Sequence, residues 1–231
     1  MEGSGALASG IAGRRKAALE DGGESYRARR QEIVKVAAKV FRDKGFEATT
    51  LNDIAAKLKT DRASLYYYVG SKEELLHEIV RQVLEENVAA AEEVLARAGT
   101  PVEKIEALIE YMILSFDRHY PHMFVYVEDL ARISREKSDW AREVVQKTRR
   151  FEEIVVEILD DGRADGSFRS DLPNRISAMA LFGMINWTHR WYKPGSTESA
   201  REIAQTFCTL FLDGYRNRPP AGKRTGSRTT P

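Results

Sequence analysis

The chain is predicted to fold as an all-α protein of about nine helices, and three observations carry that expectation. Apolar residues recur at helical spacing through nearly everything between the two ends. Short hydroxyl side chains stand three residues ahead of carboxylates at several helix starts. No alternating apolar and polar run flanked by hairpin turns occurs.

The first predicted helix, 27–44, sets Ile33, Val36, Ala37, Val40 and Phe41 on one face, with Gly45 placed to end it. Two very short helices follow at 51–58 and 62–68, opened by Thr50 with Asp53 and by Asp61. A helix at 72–97 opens at Ser71 with Glu74, and one at 101–119 opens at Thr100 with Glu103. In each such pair the hydroxyl accepts an orphan amide hydrogen while the carboxylate reaches back. Pro101 takes the first helical position, where its missing N–H costs nothing. The period resumes after Pro121 at 122–132 and continues at 137–161. The stretch DDGRADGSFRSD at 160–171 reads as a turn, with Gly162 and Gly166 as breakers, before helices at 173–192 and 197–215.

With 231 residues, 42% of them hydrophobic, the chain can build a core that needs no disulfide or metal staple. Cys208 is the single cysteine, which excludes an intrachain disulfide and any multi-cysteine metal site. There is no apolar run of membrane-spanning length, and the start lacks both charged and apolar regions of a signal peptide, so a cytoplasmic location is expected. Residues 1–25 and 217–231 read as disordered tails. The G-x-G-x-x-A match in GSGALA at 3–8 follows no strand and opens no helix, and is read as chance. A net charge of +1 conceals a division: residues 1–72 carry 14 basic and 9 acidic side chains, residues 73–160 carry 11 and 20. Either charge simply varies by segment, or a basic head alone meets a polyanion.

Residues 46–72, FEATTLNDIAAKLKTDRASLYYYVGSK, carry the functional signal. Isolated helices this short are marginal in water. Both must be held on the 27–44 helix through Leu51, Ile54, Ala55, Leu58 and Leu65. Short helix, tight turn, short helix is the helix-turn-helix arrangement, whose second helix enters the major groove. That helix starts with Arg62, Ala63 and Ser64. Arginine can donate two bonds to guanine, serine can bond a base or a phosphate, and small Ala63 permits close approach. Tyr66 and Tyr67 are expected to face DNA and Tyr68 to pack inward; the alternative is that all three are core. Helix starts near Thr49, Thr50 and Lys72 are expected to hold phosphates.

The run from Arg30 to Leu76 resembles the N-terminal DNA-binding domain of the TetR family of transcriptional repressors. The matching elements are A-x-x-x-F-x-x-x-G at Ala37–Gly45, A-T-T-L-x-D-I-A at 48–55, L-Y-x-Y at 65–68 and G-S-K-E-E-L at 70–75. The resemblance implies a DNA-binding head at 26–87, with its motif at 50–69, and a helical ligand-binding and dimerisation body at 88–216. It maps DNA contacts onto Thr50, Arg62, Ser64, Tyr66, Tyr67 and Lys72. Lys59 stands where the family has a turn glycine, and Thr60 where it has a small apolar residue. Either Lys59 takes a strained left-handed conformation or the turn differs slightly, and in both cases a positive charge is added close to DNA.

The body holds aromatic and sulfur-bearing side chains beyond the needs of a small core. Singly these are core; grouped around Pro121, the residues Tyr111, Met112, Phe116, Tyr120, Met123, Phe124, Tyr126, Phe182, Met184, Trp187, Trp191 and Tyr192 are expected to wall a cavity, with Tyr111, Phe116, Met123, Phe124, Tyr126, Trp187 and Trp191, and with them His119 and Arg190, as the ligand contacts. His119 and His122 with Asp117, Glu128 and Asp129 raise a metal site, but Pro121 interrupts the helix between the histidines, and neither metal nor cofactor is expected. Ile176, Ala180, Gly183 and Trp187, with Ile203, Phe207, Leu210 and Phe211, are either intramolecular packing or, as the family implies, a homodimer interface built from the last two helices.

The segments FVYVEDLARIS at 124–134 and INWTHRWYKPGS at 185–196 resemble a TetR subgroup that regulates steroid and fatty-acid catabolism in actinobacteria and responds to acyl-CoA thioesters. The implied function is a repressor bound to a palindromic operator and released by such a ligand, with Arg118, Arg190 or Lys193 at its phosphates. The alternative ligand is a drug or free lipid, as for a regulator of efflux. An all-α enzyme is the competing class, but no Walker A loop, G-x-S-x-G elbow, H-E-x-x-H helix or Cys–His pair occurs, and the chain is read as no enzyme. A protein-binding adaptor that no longer uses its helix-turn-helix is the third class.

Overall fold

The computed structural model describes residues 23–217. Among them are nine α-helices and one 3-10 turn, and the extended pairing is a single antiparallel bridge between Phe168 and Arg216. The tails expected at 1–25 and 217–231 fall almost wholly outside the described residues; within them, Glu24 and Ser25 already belong to the first helix. No helix among the described residues is long and apolar enough to cross a membrane.

The head is built on α1 (Glu24–Lys44), which ends where the Gly45 N–H returns to the Phe41 carbonyl at 2.8 Å with the glycine at φ 83°. Next come α2 (Leu51–Leu58) and α3 (Arg62–Tyr68). Ile54 and Leu65 are fully buried in the same cluster as Ile33, Ala37 and Phe41 of α1, so the long helix supplies the packing that two short ones lack. The connection turns at Lys59, whose φ of 55° and ψ of 40° are left-handed as its position demands. Arg30 of α1 bonds Glu74 at 2.8 Å and also pairs with Glu78, fastening the head to α4 (Lys72–Ala96).

The body comprises α4, α5 (Pro101–Arg118), α6 (His122–Ile133), α7 (Asp139–Ala164), α8 (Asn174–Trp187) and α9 (Ala200–Tyr215). α9 lies along α5, α7 lies along α4, and α6 packs against α4 and reaches back to α1. α4 runs unbroken through residue 87, so the division expected there falls inside a helix that head and body share. The predicted caps at Thr50, Asp61, Ser71 and Thr100 all accept the expected amide hydrogens. Ser138 and Ser199 cap α7 and α9 as well; the Ser199–Glu202 box was legible in the sequence but lay inside the predicted 197–215 helix.

Two expectations need correction. Gly162 does not break a helix: α7 continues to Ala164, and the missing side chain leaves room for the buried Phe168 ring to lie against the backbone. Gly166, at φ 81°, makes the turn. The predicted 173–192 helix stops at Trp187 and tightens into a 3-10 turn over Thr188–Arg190, because buried Thr188 offers its carbonyl to the amides of Trp191 and Tyr192. At the far end, the Asn217 N–H donates to Ser167 O at 2.8 Å and the Arg169 N–H to Tyr215 O at 3.0 Å, clasping the end of α9 to the α7–α8 connection.

Candidate nucleic-acid interface and ligand chamber

The start of α3 stands clear of the body, with Arg62, Ala63 and Ser64 all exposed. Asp61 caps it, accepting the Ser64 amide at 2.8 Å and hydroxyl at 2.6 Å, and these bonds hold its carboxyl below the usual range. Arg62 donates to the Tyr66 hydroxyl at 2.8 Å, which sets the guanidinium along the outer face of the helix. Tyr68 stacks on Tyr26 of α1 with ring centroids 4.9 Å apart, whereas Tyr67 is 39% exposed, so the three tyrosines divide between packing and surface. Thr50 forms a capping box with Asp53, whose carboxyl is held well down by Lys44 and then by Thr50. Lys59 is exposed beside this surface. Lys72, half-buried, donates to the carbonyls of Phe46 and Glu47 at 3.0 Å each.

Thr49 does not join this surface. It is 1% exposed, its hydroxyl donates to Gly45 O at 2.7 Å and its amide to Phe46 O at 3.2 Å, so both donors are used in shaping the turn before α2.

Inside the body, five helices enclose a small chamber of about 60 Å³. Its apolar wall includes Leu84, Met112, Val127, Leu130, Phe151 and Phe182, and its polar edge is Asn87, Thr148, Glu152 and Asn186. Thr148 donates to Val144 O at 2.8 Å and accepts from the Tyr126 hydroxyl at 3.0 Å. Burial pushes the Tyr126 phenol up to about 12 and raises Glu152 against the pull of Arg149 and Arg175. Ser115 donates to Asn87 Oδ1 at 2.9 Å, and Asn87 reaches the Met123 sulfur at 3.6 Å.

Of the nine residues expected to contact a ligand, Tyr126 alone lines this chamber, joined by Met112 and Phe182 from the wider aromatic and sulfur-bearing group. Phe116 and Met123 are core, and Tyr111 spends its hydroxyl on Glu86 O at 3.1 Å. His119 faces a wider polar cleft of about 620 Å³ between α1, α4 and the α5–α6 corner, where Glu86 lies 3.0 Å away. Phe124 meets His189 edge-on, Arg190 pairs with Glu128 at 3.2 Å, and Trp187 and Trp191 are exposed. The missed walls are spread over α4, α6, α7 and α8; on α7 Thr148 and Phe151 share a face, and a threonine interrupting an apolar stripe was the available signal there. Among the described residues no three His, Cys, Asp or Glu side chains gather as a metal site requires.

On the outer face of α8, Ile176 (66%) and Trp187 (63%) are exposed, with Ala180 and Gly183 between them and Leu210 of α9 nearby in character at 62%. Ile203 and Phe211 are buried within the protomer, as the intramolecular-packing alternative has it for these two residues. Phe207 is half-buried.

Comparison with known proteins adds independent findings. Residues 33–79 match the family model described as bacterial regulatory proteins, tetR family, and residues 98–215 match the tetracyclin repressor-like C-terminal domain. The HTH-type transcriptional repressor KstR2 of Mycolicibacterium smegmatis is 31% identical over 188 residues, covering 80% of this chain and 90% of that protein. The solved structure of the ketosteroid transcriptional regulator KstR2 of Mycobacterium tuberculosis superposes with a TM-score of 0.78 at 25% identity, covering 82% of this chain and 96% of that one. AibR, solved in complex with isovaleryl coenzyme A and operator DNA, shares the fold at a TM-score of 0.66 and 22% identity, covering 81% and 97%.

Proposed function

Since the chain belongs to the TetR family of bacterial regulatory proteins, we propose that it is a repressor that binds a palindromic operator as a homodimer and leaves it when a hydrophobic small molecule enters the body. The observation that carries this reading is the start of α3: Arg62 and Ser64 are exposed on a helix whose other face is locked to α1. Such a helix can enter a major groove without rearranging the head. Arg62 reads a base, Lys59, Thr50 and Lys72 stand at the phosphate backbone, and Tyr66 fixes the Arg62 fork. The exposed apolar face of α8 supports the dimer, which would present two recognition helices to two half-sites.

The ligand in this reading is an acyl-CoA thioester with a steroid-derived or fatty acyl group. The likeness to KstR2 proteins supports the subgroup, and the chamber supports the acyl group through its apolar wall, with no lysine or arginine in its lining. At its present volume it admits a ligand only by parting its walls, and so favours a body conformation different from the one that binds DNA.

The test starts with an operator selected from randomised duplexes. Arg62→Ala should cost about 1–3 kcal/mol and relax specificity at one position of each half-site. Octanoyl-CoA should release wild type from the selected operator and octanoate should not. An Arg62→Ala protein that reads the operator like wild type would remove the assigned reader, and equal release by thioester and free acid would remove the CoA moiety from the ligand.

A further inference from the structure

One aromatic ring of the head, Phe46, carries two cations from different parts of the molecule. The Lys72 ammonium lies 4.6 Å from its centroid and the Arg132 guanidinium 4.4 Å. Lys72 opens α4 and spends two of its three N–H donors on the carbonyls of Phe46 and Glu47, leaving one for a partner outside the protein. Arg132 belongs to the body, on the last turn of α6. Its Nε donates to Asp129 at 2.9 Å and lies 3.7 Å from Glu47, its Nη1 donates to Glu136 at 2.5 Å, and its buried Nη2 has no hydrogen-bond partner. Two like charges on one ring repel; the three surrounding carboxylates make the arrangement stable and tie Arg132 to both sides of the head–body junction.

The same helix reaches the chamber. Tyr126, Val127 and Leu130 of α6 wall it, and Arg132 follows two residues beyond. A helix of twelve residues moves largely as one body, so a displacement at the chamber is carried toward the ring.

We infer that Arg132 is a positioning residue for DNA binding: by holding Phe46 and the Phe46–Glu47 turn, it determines where the Lys72 ammonium stands, so operator affinity depends on a side chain of the ligand-binding body. The inference rests on the reading of Lys72 as a phosphate contact given under Proposed function. Movement of α6 then withdraws Arg132 from the ring, and the Lys72 contact loosens without any change in the recognition helix itself.

The salt dependence of binding to the selected operator tests it, in wild type, Lys72→Ala, Arg132→Met and the double variant. Arg132→Met keeps most of the side chain's bulk and removes its charge. It should weaken binding about five- to twentyfold and lower the slope of log K against log salt by about one per protomer, as Lys72→Ala does. The double variant should bind no more weakly than Lys72→Ala, because both remove one contact, and Arg132→Lys should restore part of the loss. Losses that multiply in the double variant, or an Arg132→Met protein with wild-type slope beside a defective Lys72→Ala, would overturn the inference. If Lys72→Ala itself binds like wild type, the reading of Lys72 fails first. Should Arg132→Met not fold, Phe46→Leu removes the ring and keeps the bulk; it carries the same expectation and the same refutation.

Discussion

Replacing Gly162 by alanine sets two effects of opposite sign against each other. Within a helix, alanine is favoured over glycine by up to about 1 kcal/mol. The new Cβ, however, would stand 2.1 Å from Cδ2 of Phe168, 2.5 Å from Cε2 and 3.0 Å from Cγ. No Cβ tolerates such distances, and the ring has little freedom to retreat. It is 1% exposed, its own amide is bonded to Gly162 O at 2.8 Å, and its backbone pairs with Arg216. The ring must leave its site. Expelling a buried phenylalanine costs about 3–5 kcal/mol, so the net destabilisation should be roughly 2–4 kcal/mol. In a chain of this size that lowers Tm by roughly 4–16 °C. Urea and thermal unfolding of Gly162→Ala, Phe168→Ala and the double variant give the answer. With the ring already gone, the alanine should regain its helical advantage, leaving the double variant more stable than Phe168→Ala alone. A Gly162→Ala protein as stable as wild type, or a double variant weaker than Phe168→Ala, would refute the steric account.

Lys59→Gly should raise stability by about 1 kcal/mol, since the left-handed backbone at φ 55° costs lysine and not glycine, and it should flatten the salt slope of operator binding; unchanged stability by denaturant midpoint would mean the turn carries no strain. Gly183→Asp should yield monomers at micromolar concentration by sedimentation, because nothing in the protomer lies within 4 Å of the new Cβ and any effect must come from a partner; a persisting dimer would exclude this face of α8. Burial, with His119 and Lys35 nearby, holds the His122 imidazole down to about 4. The unfolded chain takes up that proton from about pH 6.5 and the folded one refuses it until near 4, so stability is lost as pH falls through that window. His122→Gln should therefore show a shallower loss of denaturant midpoint between pH 7 and 5, and an identical pH slope would acquit His122.

What could be read from the sequence depended on how local the determining contacts are. The capped starts of α2 and α3, the turn at Lys59 and the exposed start of the recognition helix all follow from a window of some twenty residues, and the sequence already contained them. Thr49 and Thr50 show the limit even there. The two residues are identical and adjacent, yet one is spent on Gly45 and the other caps α2, a difference set by which way the chain turns. The chamber was illegible for a different reason. Its walls come from five helices spread between Leu84 and Asn186, and an aromatic-rich stripe says nothing about which of its members meet across a bundle. Periodicity placed Ile203, Phe207 and Phe211 on one face of α9 correctly; it could not say whether that face met α5 or a second copy.

The clasp between the end of α9 and the α7–α8 connection decides where the chain can be shortened or extended. The Asn217 and Arg169 amides, the Phe168–Arg216 bridge and the Arg216 contact to Glu106 at 2.6 Å all lie within a few residues of one another. An affinity handle or fluorescent protein joined beyond residue 217 leaves every one of these bonds in place. A deletion that reaches Tyr215 removes them together and uncovers Phe168, which otherwise sits sealed beneath them. Expression boundaries and reporter fusions for this protein are best drawn on the far side of Asn217.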